Sequence, residues 1–247
     1  MTGIRIRVAR TAGSVPREAG AEMLVTAEGT EGTIGGGALE WQAMAEARAM
    51  LADGRTRMER TWPLGPALGQ CCGGSVTLSF ERAESLERAT GAPLWVWGAG
   101  HVGRAIVATM APLPAFDITW IDAATDRFPQ ETHGVTVVPA ADMPRLAARA
   151  PREAHHLILT YSHEIDLALC HALLTRGFAG AGLIGSATKW ARFRSRLAAL
   201  GHERAQILRI ACPIGDPALG KHPQAIAVGV AAALLTATRD QVGDRTG

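Results

Sequence analysis

The feature that most restricts how this chain can fold is the run Leu94-Trp95-Val96-Trp97, followed at once by Gly98-Ala99-Gly100-His101-Val102-Gly103. A short apolar strand that breaks into G-x-G-x-x-G and then opens a helix, here from about His101 to Met110, begins a βαβ unit. Gly98 supplies the tight turn, Gly100 lets backbone approach an anion, and Gly103 allows close packing of helix on sheet. The next strand candidate, Asp117 to Ile121, closes at Asp122. An acid at that place is expected to accept from a ribose 2′-hydroxyl and to repel a 2′-phosphate, so NAD-like ligands are favoured over NADP-like ones. Unpaired N–H groups at the helix start suit a phosphate. The same turn also survives on folds whose site is empty or repurposed, so by itself it specifies architecture only.

The rhythm set by this turn continues to the carboxyl end. Val135 to Val138, Leu157 to Thr160 and Ala181 to Ile184 read as strands; Ile165 to Leu174, Ala187 to Leu200 and Pro223 to Thr236 read as helices. Strands alternating with helices predict a Rossmann-like, doubly wound parallel sheet over residues 92–247. Residues 1–88 follow another pattern and are expected to form a small α/β domain. Ile4 to Ala9 alternates apolar residues with arginine, Met23 to Thr26 is a second strand candidate, and Val76, Leu78 and Phe80 share one face of a third. Leu39, Ala43, Ala47 and Met50 mark the buried face of a helix over Ala38 to Leu51, stopped by Asp53-Gly54. The charged stretch Glu81 to Gly91 is the expected linker.

Composition removes several function classes. The two halves carry 10 basic against 11 acidic residues (1–90) and 15 against 12 (91–247), so neither presents the basic slab of a nucleic-acid binder. The most apolar stretch, Ala225 to Leu235, is too short to span a bilayer, and the arginines at 5, 7 and 10 interrupt any signal-peptide core. The four cysteines form neither a disulfide framework nor a zinc pattern, and Cys170 falls within an apolar helix. A soluble protein of a reducing cytoplasm is expected.

Further loops gather at the predicted carboxyl edge of the sheet, where open α/β folds bind ligands. Thr160-Tyr161-Ser162-His163-Glu164 joins strand to helix; Ser162 suits an N-cap, and His163 would face the crevice of the glycine turn. His101 in the turn could lend a proton or an anion contact, or be a solvent-facing residue at a helix start. Gly185-Ser186-Ala187-Thr188-Lys189 repeats the geometry, and Lys189, one of only two lysines, could hold a negative group. Pro213-Ile214-Gly215 and Gly220-Lys221 add a fourth loop, and together these point to an anionic small molecule. In the first domain Gly35-Gly36-Gly37 is either a second anion nest or a tight turn. Cys71-Cys72, flanked by Gly73-Gly74, is a candidate for exposed thiolate chemistry toward sulfur or a metal; buried free cysteines are the alternative.

Taken in order, these stretches resemble the XdhC/CoxI family, the xanthine dehydrogenase accessory proteins. The matching runs are Gly13-Ser14-Val15-Pro16-Arg17-Glu18-Ala19-Gly20-Ala21, Gly32-Thr33-Ile34-Gly35-Gly36-Gly37-Ala38-Leu39-Glu40, and Leu68-Gly69-Gln70-Cys71-Cys72-Gly73-Gly74. In the second domain they are Trp97 to Gly103, Tyr161-Ser162-His163-Glu164-Ile165-Asp166, Gly182-Leu183-Ile184-Gly185-Ser186 and Pro213-Ile214-Gly215. Relatives usually have an additional leading helix before the first strand. The resemblance implies a chaperone, not a catalyst: one that binds the molybdenum cofactor (molybdopterin), supports its sulfuration by a cysteine desulfurase, and delivers it to xanthine dehydrogenase. It also implies a homodimer or larger homo-oligomer. On this reading Cys71, Cys72, Gly98, Gly100, His101, Gly103, Asp122, Ser162, His163, Gly185, Ser186 and Lys189 would line the cofactor site, with molybdenum near Cys71 or Cys72 and no direct protein metal site. The competing reading is an NAD-dependent oxidoreductase using the Gly98–Gly103 turn and Asp122, with His163 and Glu164 or Asp166 as its acid–base candidates; NAD is the nucleotide expected there.

Overall fold

A computed structural model gives the fold over residues 2–65, 73–86 and 91–243. Cys71 and Cys72 lie outside the described residues. The chain divides into two compact units, Met1–Arg88 and Ala89–Gly247.

The first unit is a five-stranded antiparallel sheet carrying one long helix. Its strands are β1 (Gly3–Ala12), β2 (Glu22–Val25), β3 (Thr30–Gly32), β4 (Arg57–Pro63) and β5 (Ser75–Ala83), in the order β3-β2-β1-β5-β4. Alternation in β1 sends Ile4, Ile6 and Val8 into the core, while the opposite face pairs charges, as in Arg5 with Glu81 at 3.2 Å. Helix α1 (Gly37–Asp53) covers the apolar face with Leu39, Ala43, Ala47 and Met50, the spacing of a single helical stripe. Gly54, left-handed at φ 81°, ends it by donating its N–H to Met50 O. Two strands have no counterpart in the sequence reading. β4 is an edge strand that buries only Trp62, so it lacks an apolar period; β3 is three exposed residues. β5 continues to Ala83, into the expected linker.

The second unit is a parallel six-stranded sheet with helices on both faces. Its elements are β6 (Ala92–Trp97), α2 (His101–Met110), β7 (Phe116–Asp122), β8 (Thr136–Pro139), α3 (Met143–Ala147), β9 (His155–Ile158), α4 (His163–Arg176), β10 (Gly180–Leu183), α5 (Ala187–Ala199), α6 (Arg204–Ile207), β11 (Ile210–Ala211) and α7 (Pro223–Gly243). The order is β11-β10-β9-β6-β7-β8, all parallel. This is the Rossmann-like arrangement expected from the sequence. Successive strand residues serve opposite layers: Val96 and Leu157 pack with α2 and α7, whereas Trp97 and Ile158 pack with α4 and α5. Because the chain runs outward from β6 to β8 and then returns to β9 on the other side of β6, the strand order reverses between β6 and β9 while every strand stays parallel. The loops leaving those two strands border the crevice where such sheets take ligands.

Candidate functional site

The glycine turn has the backbone its residues predict. Gly98 sits at φ 123°, and a Cβ there would stand 2.4 Å from Leu159 O. A Cβ on Gly103 would stand 2.0 Å from Gly98 O, so helix α2 leaves the sheet with no room for a side chain. Gly100 differs: a Cβ there would meet nothing within 4 Å. The space beside it is open to a guest. The first helical bond at this end is Arg104 N–H to Gly100 O at 2.9 Å, and the amides of His101, Val102 and Gly103 have no hydrogen-bond partner among the described residues. His101 is exposed at the same end.

Asp122 closes β7 as expected, but its carboxylate turns inward. It is 1% exposed; Oδ2 accepts from Ala99 N–H at 2.5 Å and Oδ1 from Ala123 N–H at 2.6 Å. It therefore buttresses the glycine turn from beneath, a use that a ribose hydroxyl would have to displace. Arg127, in a short 3-10 turn after β7, stands 3.4 Å from Asp122 Oδ1 through Nε and stacks its guanidinium on Tyr161, 4.9 Å from the ring centroid. Arg104 Nε donates to Ala99 O at 2.9 Å.

The loop after β9 is organised by a residue that sequence reading named only for the rival activity. Asp166 is fully buried, and its Oδ1 accepts from the Thr160 amide at 3.0 Å and the Thr160 hydroxyl at 2.7 Å. Its Oδ2 lies 2.6 Å from Lys189 Nζ, which also donates to Ile184 O at 2.8 Å. Lys189 keeps 10% of its side-chain surface, its stem packs beside Gly185, and its ammonium lies 5.3 Å from the Phe193 ring centroid. The sequence expectation of a free charge for a ligand thus meets a lysine already committed to a carboxylate. Ser162 and Ser186 are the N-caps of α4 and α5, accepting from Ile165 and Lys189 amides at 3.4 and 3.2 Å. His163 is exposed at the start of α4, its ring edge-on to Phe193. Cys170 is a core thiol whose pKa burial pushes up.

Comparison with known proteins now bears on this geometry. A family model described as the XdhC Rossmann domain matches residues 94–234, and one described as the XdhC and CoxI family matches residues 2–61. The chain belongs to the XdhC family. Uncharacterized protein YqeB of Escherichia coli (strain K12) is 31% identical over 244 residues, covering 94% of this chain and 42% of that protein; the chain thus spans less than half the length of this relative. The solved structure of a Bacillus halodurans protein, described as a xanthine dehydrogenase, superposes with a TM-score of 0.78 at 16% identity, covering 97% of this chain and 92% of that one. At that identity the likeness is one of fold.

The XdhC-family motifs of the first unit also meet. A Cβ on Gly35 would strike the Pro16 ring at 2.8 Å, and one on Gly74 would strike Ala12 O and Ser14 O at 2.4 Å, so three motif loops pack with no room for a side chain at either glycine. The Gly35-Gly36-Gly37 run already holds an anion. Glu40 Oε2 accepts from Thr33 Oγ1 at 2.7 Å, Gly36 N–H at 2.9 Å and Ile34 N–H at 3.1 Å. Burial works to raise this carboxyl, but the hydrogen bonds from Thr33, Gly36, Ile34 and Gly35 prevail and hold it below its ordinary value. Among the described residues, no group of three or more His, Cys, Asp or Glu side chains could hold a metal ion, and no helix is long and apolar enough to cross a membrane. Sequence reasoning missed Arg104, Arg127 and Tyr161 as site residues; an arginine five residues past the β7 acid was the available signal.

Proposed function

We propose that this XdhC-family chain is an accessory protein of xanthine dehydrogenase maturation, acting in the cytoplasm as a homo-oligomer. It binds the molybdenum cofactor, shields it, supports its sulfuration by a cysteine desulfurase and hands it to the dehydrogenase. The observation that carries this reading is the set of unpaired amides of His101, Val102 and Gly103 beside open Gly100, at the switch between β6 and β9. Three N–H donors at the positive end of a helix fit a phosphate, and molybdopterin carries one. Gly98 and Gly103 fix the backbone, while Asp122, Asp166 and Lys189 hold the surrounding loops in place. Bound there, the cofactor would supply the molybdenum centre that the client requires; the chain's own task is to bind and to exclude solvent. Asp166, an acid–base candidate of the oxidoreductase reading, is fully buried and paired with Lys189 at 2.6 Å, which favours carriage over hydride transfer. We assign Cys71 or Cys72 to facing the metal's labile ligand or guarding it from oxidation. Alanine at both should leave folding intact and abolish support for active, sulfurated dehydrogenase; undiminished activation removes the cysteine assignment.

The test is ligand analysis of the full chain purified after co-expression with the cofactor pathway. Stoichiometric release of a fluorescent oxidised pterin is the expected result. Retained nicotinamide dinucleotide without pterin would instead favour the NAD-dependent oxidoreductase.

A further inference from the structure

At the outer edge of the crevice the carboxylate faces inward and a guanidinium faces outward. Asp122 is spent on the amides of Ala99 and Ala123. Arg127 keeps 44% of its side-chain surface and is held in three ways. Asp122 Oδ1 lies 3.4 Å from its Nε, its Cζ lies over the Tyr161 ring 4.9 Å from the centroid, and Arg104 Nη2 donates to its backbone carbonyl at 2.8 Å. Its two terminal nitrogens have no partner among the described residues, and the neighbouring Asp126 forms no ion pair with it. A planar fork fixed in direction with unspent donors is the geometry that takes two oxygens of a phosphate. Tyr161 is 65% exposed although Arg127 rests on it, which leaves ring surface for a flat heteroaromatic group. The two residues come from the loops after β7 and β9, the strands on either side of β6, so their contact bridges the strand ends that flank the glycine turn.

We propose that Arg127, seated on Tyr161, reads a phosphate monoester on a ligand that carries a flat heteroaromatic ring. For a nucleotide, this makes the crevice select a ribose 2′-phosphate over a free 2′-hydroxyl, the reverse of the preference expected from an acid at the end of β7. The inference rests on the crevice accepting a phosphorylated guest. The same chemistry is offered by a 2′-phosphorylated adenine dinucleotide and by the phosphate of the pterin, and the experiment separates them. Titration calorimetry of the full chain with NADP+ and NAD+ compares wild type with Arg127→Gln and Arg127→Lys, each checked for an unchanged melting temperature. Wild type should bind NADP+ about 10- to 100-fold more tightly than NAD+, the range of one or two charge-assisted hydrogen bonds. The ratio should fall to near one in Arg127→Gln and lie between in Arg127→Lys, which keeps the charge but loses the fork. A wild-type ratio of one or less, or a ratio that survives in Arg127→Gln, overturns the proposal. If neither dinucleotide binds, pterin retention decides: a tenfold drop in Arg127→Gln supports it and equal retention overturns it. Wild type that retains neither overturns this proposal and the carrier reading together, whereas NADP+ selectivity without pterin leaves this one standing and removes the carrier.

Discussion

Replacing Lys189 by Met separates two roles for this lysine: holding a ligand's charge, or holding the loop after β9. The Asp166 carboxylate has no exposed surface, and Lys189 Nζ at 2.6 Å is its one cationic partner among the described residues. Once the ammonium is gone, the carboxylate keeps the two Thr160 donors and loses its counter-charge inside the fold. Stranding one member of a buried pair costs about 3–5 kcal/mol. The unbranched Met side chain refills the stem's space beside Gly185 and Phe193, which sets the expectation for Lys189→Met near the lower end, about 3 kcal/mol. Asp166→Ala should approach the upper end, about 5 kcal/mol, because it strands the ammonium and the Thr160 amide and hydroxyl together. The double variant should fall short of the sum by at least about 2 kcal/mol, since the second change removes the charge that the first orphaned. Urea unfolding followed by tryptophan fluorescence reads this unit well, as Trp95, Trp97, Trp120 and Trp190 all belong to it. A loss under about 1 kcal/mol for Lys189→Met, typical of a surface pair, with additive behaviour in the double variant, would refute the reasoning. Loss of retained pterin at unchanged stability would return Lys189 to the ligand.

Four further outcomes follow from the geometry. Gly100→Ala should leave stability within about 0.5 kcal/mol, because its Cβ enters open space, yet lower pterin retention by filling the approach to the amides; Gly98→Ala, at φ 123° and 2.4 Å from Leu159 O, should cost several kcal/mol, on the order of 3. Burial, with the neighbouring His155, holds the His156 imidazole down at about 3, and its Nδ1 accepts from Trp97 Nε1 at 3.2 Å. The unfolded chain therefore binds this proton first as pH falls, and stability should drop by about 1.4 kcal/mol per pH unit between about pH 6 and pH 4. His156→Phe should flatten the pH profile of urea midpoints by that slope; an unchanged profile would show the ring charging in place. Glu40→Gln should weaken the first unit by about 1 kcal/mol at pH 7, measured by hydrogen exchange of the α1 amides. Because its folded value is lowered, that contribution is full above the ordinary carboxyl range and is lost as pH falls from that range through the lowered folded value.

The second unit was legible because β6, β9 and β10 are each followed within a few residues by the glycine or serine that caps a helix, namely Gly100, Ser162 and Ser186, a local signature of buried parallel strands. β11 was not, being two residues long, and β4 was hidden because only Trp62 along it is buried. The backbone of the glycine turn was legible for the same local reason. The direction of the Asp122 carboxylate was not, since it depends on an amide 23 residues away, and neither was the Lys189–Asp166 pair, which joins two helices across the same separation. Arg127 was missed because a polar 3-10 turn has no period.

The two glycine runs show what decides between a nest and a ligand site. A glycine-rich turn gathers amides, and the nearest carboxylate of the chain competes with any guest for them. At Gly35-Gly36-Gly37 the competitor is Glu40, only four residues past Gly36, and it takes two amides and a hydroxyl without a cationic partner among the described residues. A second anion there would meet that charge directly. At Gly98–Gly103 the competitor is Asp122, which reaches a single amide of the turn and is faced by Arg127, so the three amides opening α2 stay available beside a side chain of the opposite sign. By electrostatics alone a phosphate belongs at the second turn, and the triple glycine serves the chain's own carboxylate.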